Sequence, residues 1–188
     1  MTSEERREIR YQRRKAKRDE ARLKRSMACG DFDEVFSFRH LYLSAKKCCK
    51  GVYWKSSTQR YIGDLIPNVA LTLLSLKNGT FIHRGFHEFY IMERGKKRHI
   101  RSVHISERTV QKCLCDYCIV PIYSASFIYD NSASLKHRGM DFALRRMVYH
   151  LERHFRKHGL SGGILIYDFK SFFDDAPHAP LLREAERW

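Results

Sequence analysis

Residues 3–26, SEERREIRYQRRKAKRDEARLKRS, are polar almost throughout, with 11 Lys or Arg, five acids and few apolar positions beyond Ile9, Tyr11 and Leu23. Thr2 and Glu5 have the spacing of a capping box, acids crowd the first turn and the interior favours helix. The stretch therefore predicts an exposed basic helix whose apolar stripe is too narrow for firm docking. After Gly30 the pattern becomes amphipathic. Asp33 is placed to cap a helix to about Lys50 with Phe36, Leu41, Tyr42 and Ala45 on its inner side. A second helix is predicted from about Ser57 to Lys77, bent or restarted at Pro67 and closed by Asn78-Gly79.

Periodicity then changes. In GFHEFYIMERGKKRHIRSVHIS, Phe86, Phe89, Ile91, Ile100, Val103 and Ile105 alternate imperfectly on either side of Arg94-Gly95-Lys96-Lys97, which predicts a β-hairpin with a basic tip. A helical pattern runs from Glu107 to Ile119 and is expected to stop at Pro121. The polar loop YDNSASLKHRG follows, then a long helix from Met140 to His158 ahead of Gly159. Ile164–Tyr167 is an apolar run of the kind that forms a buried strand, and the residues after it are again helical. The expected class is α+β: helices around a small antiparallel hairpin.

Composition adds a partner to this picture. The chain of 188 residues has 36 Lys and Arg against 21 Asp and Glu, a formal net charge of +15, with a hydrophobic fraction of 43% that is ample for a core. Such an excess points to a polyanion, with nucleic acid ahead of an acidic membrane. The stretch from Leu65 to Leu76 is too short and interrupted to span a bilayer and no secretion signal is visible, so a cytoplasmic location without membrane association is expected. The six cysteines are then expected to be reduced.

Two features could carry chemistry. In GILIYDFKSFFDDAPH an apolar run ends at Asp168, which as a strand-end carboxylate suits either a Mg²⁺ ligand or a cap for the next helix. At the hairpin tip Lys96, Lys97 and Arg98, followed by Arg101 and Arg108, suit a triphosphate or a nucleic-acid backbone, although edge lysines also serve simply to block aggregation. Cys113, Cys115 and Cys118 could supply three zinc thiolates with His104 or Cys48 as the fourth ligand, but on a helix residues 113 and 115 point apart, and packed thiols suit the spacing better. His150, His154 and His158 share a helix face that suits a metal, or better a polar surface turned to solvent or nucleic acid.

Taken in order, ERGKKRHIRSVHISERTVQKCLCDYCIVPIYSASFIYDNSASLKHRGMDFALRR and YDFKSFFDDAPH resemble the finger motifs and first catalytic palm motif of bacterial and prophage reverse transcriptases, RNA-directed DNA polymerases related to those of group II introns. The resemblance runs from about Phe32 to the C-terminus. It departs from intron-type members at His99 and Arg101 and in the SLKHRG loop. It implies a basic arm over residues 1–27, a fingers region over 28–160 and the start of a palm over 161–188. It further implies that Asp168 is a catalytic metal ligand of a two-Mg²⁺ site, and that Lys96, Lys97 and Arg98 contact the dNTP triphosphate. Phe172 or Phe173 would form the steric gate against ribose, with Phe173 the better placed. Arg101, Arg108, Lys136 and Arg138 would bind nucleic acid, an RNA template paired with a DNA primer. The family's Asp-Asp strand pair is not reached by Trp188, so the 188 residues alone are expected to be inactive in synthesis. The alternative is a non-catalytic nucleic-acid-binding module.

Overall fold

The computed structural model describes residues 1–169 and 172–186, except for the side chains of Phe173 and Asp174. It divides into two compact units, residues 1–123 and 124–188, and each is taken by itself. Among the described residues the structure is α+β, mostly helical with one antiparallel hairpin. No helix among them is long and apolar enough to cross a membrane.

The first unit opens with α1, Ser3–Ala28, whose capping box forms as expected: Glu5 N–H donates to Thr2 Oγ1 at 3.2 Å and Thr2 N–H donates to Glu5 Oε2 at 2.7 Å. None of its residues is buried. The chain then turns through Gly30 at a φ of 80°, a left-handed value that glycine adopts without a Cβ penalty.

The single helix expected from Asp33 to Lys50 is two. Asp31, not Asp33, caps the short α2 (Phe32–Val35) in a reciprocal box with Glu34, and Ser37 caps α3 (Phe38–Cys49) by accepting from His40 N–H at 3.4 Å. Two local side-chain acceptors in succession restart the helix where the apolar spacing alone reads as continuous. The next pair, α4 (Ser56–Gly63) and α5 (Leu65–Lys77), divides at Asp64 rather than at Pro67. This puts Pro67 in the first turn of α5, where a missing N–H has no helical partner to lose. At the other end Thr80 N–H donates to Ser75 O at 2.9 Å and Gly79 N–H to Leu76 O at 3.2 Å, the paired bonds of a Schellman motif, with Gly79 at a φ of 66°.

The hairpin follows as β1 (His87–Glu93) and β2 (Lys96–Ser102). Then come α6 (Ile105–Leu114), a π turn over Cys115–Ile119, and α7 (Val120–Tyr123). The expected stop at Pro121 does not occur, because Val120 N–H reaches back to Cys115 O and widens the helix by one residue just before the proline. The wider turn accommodates a ring that would clash with the preceding turn of a regular α-helix.

The core lies where α3, α5 and α6 meet. Leu41, Ala45 and Cys49 fall at helical spacing on α3, Val69 lies on α5 and Cys113 on α6, each at most 1% exposed. Tyr61, Val35 and Phe36 complete it.

In the second unit α8 spans Met140–His158, as expected, and ends at Gly159 with a φ of 61°. The expected buried strand is absent: Ile164–Tyr167 forms no ladder, and Ile166 is 87% exposed. A strand needs a neighbour for its N–H and C=O groups, and the strands among the described residues, β1 and β2, pair with each other. Two short helices follow, α9 (Phe172–Asp175) and α10 (His178–Glu186).

Leu41→Ala should destabilise the chain by about 2–5 kcal/mol through lost burial and the cavity left behind. Urea titration followed by circular dichroism measures it against Leu160→Ala, which alters a side chain 93% exposed and should change stability by no more than about 0.5 kcal/mol.

Candidate nucleic-acid interface

Arg94 and Gly95, with φ of 51° and 75°, make the two-residue connection of the hairpin. Both central residues at positive φ match a turn whose twist agrees with that of the paired strands. Directly opposed residues share a face, so the register assigns each side chain. Phe89/Ile100, Ile91/Arg98 and Glu93/Lys96 lie on one face, and Glu88/Arg101, Tyr90/His99 and Met92/Lys97 on the other. Only the Phe89/Ile100 pair and Ser102 are half-buried, which anchors the root and leaves the tip in solvent.

The three tip cations are therefore not one cluster. Lys96 and Arg98 project from the first face, where Arg98 Nε lies 2.8 Å from Glu93 Oε2, and Lys97 projects from the second. Both partners of the Arg98 pair are more than half exposed, so the contact contributes little and is easily exchanged for another anion. On the second face Lys97 Nζ sits 4.3 Å above the Tyr90 ring, Tyr90 stacks on His99 at 4.8 Å, and His99 Nε2 lies 3.1 Å from Glu88 Oε2. Arg101 lies 5.8 Å from the Phe86 ring centre. Alternating rings and cations on a ribbon edge can meet both bases and phosphates.

Below the hairpin a buried carboxylate fixes the approach. Glu107 is 4% exposed; its Oε1 accepts from Arg84 N–H at 2.8 Å and its Oε2 contacts His83 Nδ1. Burial alone would raise its pKa, but the Arg84 N–H and the His83 contact outweigh that and hold the carboxyl below its ordinary value. The brace ties the strand of chain entering β1 to the first turn of α6, which also carries the exposed Arg108. The charge pattern around Glu107 does not distinguish it from a surface acid, so its role was not readable in sequence.

The C-terminal end of the basic arm meets the body of the unit through Arg side chains. Arg25 Nε donates to Ile122 O at 3.0 Å and the Arg22 guanidinium lies 5.3 Å from the Tyr123 ring centre, so the C-terminal part of α1 docks on α7. None of the residues of α1 is buried, in line with its narrow apolar stripe, and the contact it does make is through long Arg side chains. The turn beneath is clamped by Asp116, which lies 2.7 Å from Lys47 Nζ and 2.8 Å from Lys112 Nζ. Burial raises the Asp116 pKa, and the two lysines more than reverse it.

The cysteines behave as packed thiols. Cys113 is fully buried, donates to Val35 O at 3.3 Å, and is pushed up by burial to a pKa of about 11, while Cys115 is exposed. No group of three or more His, Cys, Asp or Glu side chains is gathered to hold a metal among the described residues.

In the second unit Arg138 turns inward. Its guanidinium lies 5.1 Å from the Tyr129 ring and 4.7 Å from the Phe142 ring, and Nη1 donates to the carbonyls of Tyr129 and Asn131. Lys136 is exposed beside it. Asp130 contacts Arg146 and lies 2.7 Å from His150 Nε2, which takes His150 out of any array with His154, itself 2.7 Å from Ser161 O. Asp168 is exposed on an irregular segment and Phe172 is exposed with its ring 6.2 Å from Phe169. The side chains of Phe173, the other gate candidate, and Asp174 lie outside the described residues, as do Lys170 and Ser171.

Glu107→Gln should lower stability at neutral pH by about 1–3 kcal/mol, the range for a buried hydrogen-bonded charge. A depressed folded pKa stabilises fully above the ordinary carboxyl value of 4.5 and loses that contribution as pH falls through the folded value. The gap between wild type and variant should thus narrow on acidification below that value, measured by chemical denaturation across pH. A gap that is constant with pH would rule out this ionic brace.

No protein-family model and no curated protein matches this chain.

Proposed function

We propose that the chain is the N-terminal part of an RNA-directed DNA polymerase, its hairpin and basic helix holding an RNA template, DNA primer and deoxynucleoside triphosphate. The observation that carries this reading is the ordered motif set: a basic hairpin, the Arg108 helix, Pro121, a polar loop ending at Gly139, and then Tyr167-Asp168 followed by Phe172 and Phe173. The hairpin's exposed tip and its cations on both faces support it, since either face is available to a polyanion.

In this reading Lys96, Lys97 and Arg98 meet the triphosphate, Arg101 and Arg108 the backbone, and Asp168 serves as one carboxylate for Mg²⁺. Mg²⁺ would supply activation of the primer hydroxyl and neutralisation of the leaving pyrophosphate. Among the described residues Asp168 is not part of a group of three or more His, Cys, Asp or Glu side chains. The residues of this chain bind and orient. A second reading, a non-catalytic nucleic-acid-binding module, is favoured by one observation: α1, the hairpin and Arg108 all belong to one compact unit, residues 1–123, whose residues do not include Asp168.

Binding of a fluorescent RNA–DNA duplex to the full chain should weaken steeply with salt, and Lys97→Ala with Arg101→Ala should make the slope of log K against log salt shallower by about 1–2. A deoxynucleoside triphosphate complementary to the template should tighten the complex in the polymerase reading and leave it unchanged in the module reading. Salt-independent affinity would overturn both.

A further inference from the structure

A groove of ≈ 990 Å³ lies at the root of the hairpin, lined by the chain entering α4, by residues entering β1, and by the start of α6. Its charged residues are Lys55, Arg60, Arg84 and Arg108, and no Asp or Glu lines it. Some other cations of the chain do have acidic partners, as at Lys47, Lys77, Lys112 and Arg146. None of the four groove cations takes part in an ion pair among the described residues, and Lys55 instead lies 5.3 Å from the Trp54 ring centre. Trp54 is 75% exposed at the rim, and Phe86 is 53% exposed on the hairpin side. Four cations without counter-charges repel one another, a cost that an anion entering the groove removes. Exposed aromatic rings beside them select an anion with flat apolar faces, which nucleobases have and acidic peptides lack.

We propose that this groove is a track for single-stranded polynucleotide, with Trp54 stacking a base and Lys55, Arg60, Arg84 and Arg108 taking the neighbouring phosphates. A single strand fits better than a duplex, because the bases of a duplex are stacked inside it and cannot reach a ring at a groove wall. The proposal rests on the nucleic-acid reading above but concerns different residues: Trp54, Lys55, Arg60 and Arg84 carry no role in the hairpin's grip.

The test measures anisotropy of a short fluorescent single-stranded RNA and of a blunt RNA–DNA duplex with the full chain. The variants are Trp54→Ala, Arg60→Gln and, as a separate arm, Lys97→Ala with Arg101→Ala. Trp54→Ala should raise the Kd for single strand about tenfold and leave the duplex Kd within about twofold. Arg60→Gln should lower the single-strand salt slope by about 0.7. Trp54 is at the surface, so its variant should melt with the wild type. Three results would overturn the proposal: unchanged single-strand affinity in both groove variants, equal losses on single strand and duplex, or polyglutamate competing as well as RNA. If groove variants are silent while the hairpin variant weakens duplex binding, this inference fails and the proposed function stands. If the wild-type chain binds neither probe, both fail.

Discussion

The close approach of α3 to α6 is the constraint on which the first unit depends. It is possible because the facing positions are small: Ser44, Ala45 and Cys49 on one helix, Thr109 and Cys113 on the other, all buried. Larger side chains would hold the axes apart. At this separation the Cys113 thiol reaches the Val35 carbonyl at the end of α2, and Asp116 reaches Lys47 across the same seam. The position of α6 in turn sets Glu107, Glu107 sets the chain at His83 and Arg84, and that chain leads directly into β1. A seam of small residues thus determines where a basic ribbon leaves the body of the unit.

Electrostatics works at two levels in this arrangement. The buried Glu107 and the half-buried Asp116 are partnered on both carboxylate oxygens, and they hold elements together where desolvation makes each bond count. Exposed cations are many and weakly paired, as at Arg98 with Glu93, or stand over rings, as at Lys97 with Tyr90. Such exposed cations can exchange partners, whereas Arg25, Lys47, Lys112 and Arg138 hold parts of the fold in place.

Signals confined to one turn of chain were readable from sequence. The Thr2–Glu5 capping box, the Asn78-Gly79 closure, the α8 span and the Arg94-Gly95 hairpin each depend on neighbouring residues and form as expected. Misreadings occur where a distant partner or a competing local bond decides. Asp31 and Ser37 intercepted the cap assigned to Asp33, Asp64 took the break assigned to Pro67, and Ile164–Tyr167 has the composition of a strand but no strand beside it among the described residues. The groove was invisible for a related reason. Trp54, Arg60, Arg84 and Arg108 are spread over more than fifty positions and become neighbours only when α4, the hairpin root and α6 assemble. The cue, an exposed tryptophan among basic residues that lack acidic partners at helical spacing, has meaning only once pairing is known.

The π turn over Cys115–Ile119 has a further consequence. A wide turn is in effect one extra residue inserted in a helix, and each residue advances the helix by about 100°. The α7 turn after Ile119 is rotated by that amount from the phase set by α6, which is how Ile122 comes to be buried while its carbonyl meets Arg25 and Tyr123 meets Arg22. Loss of a single residue from this turn would keep the helix and the composition intact yet swing the docking site for α1 away from the arm. The orientation of the chain's most basic segment is thus encoded as a phase, one residue in length, rather than as a contact surface.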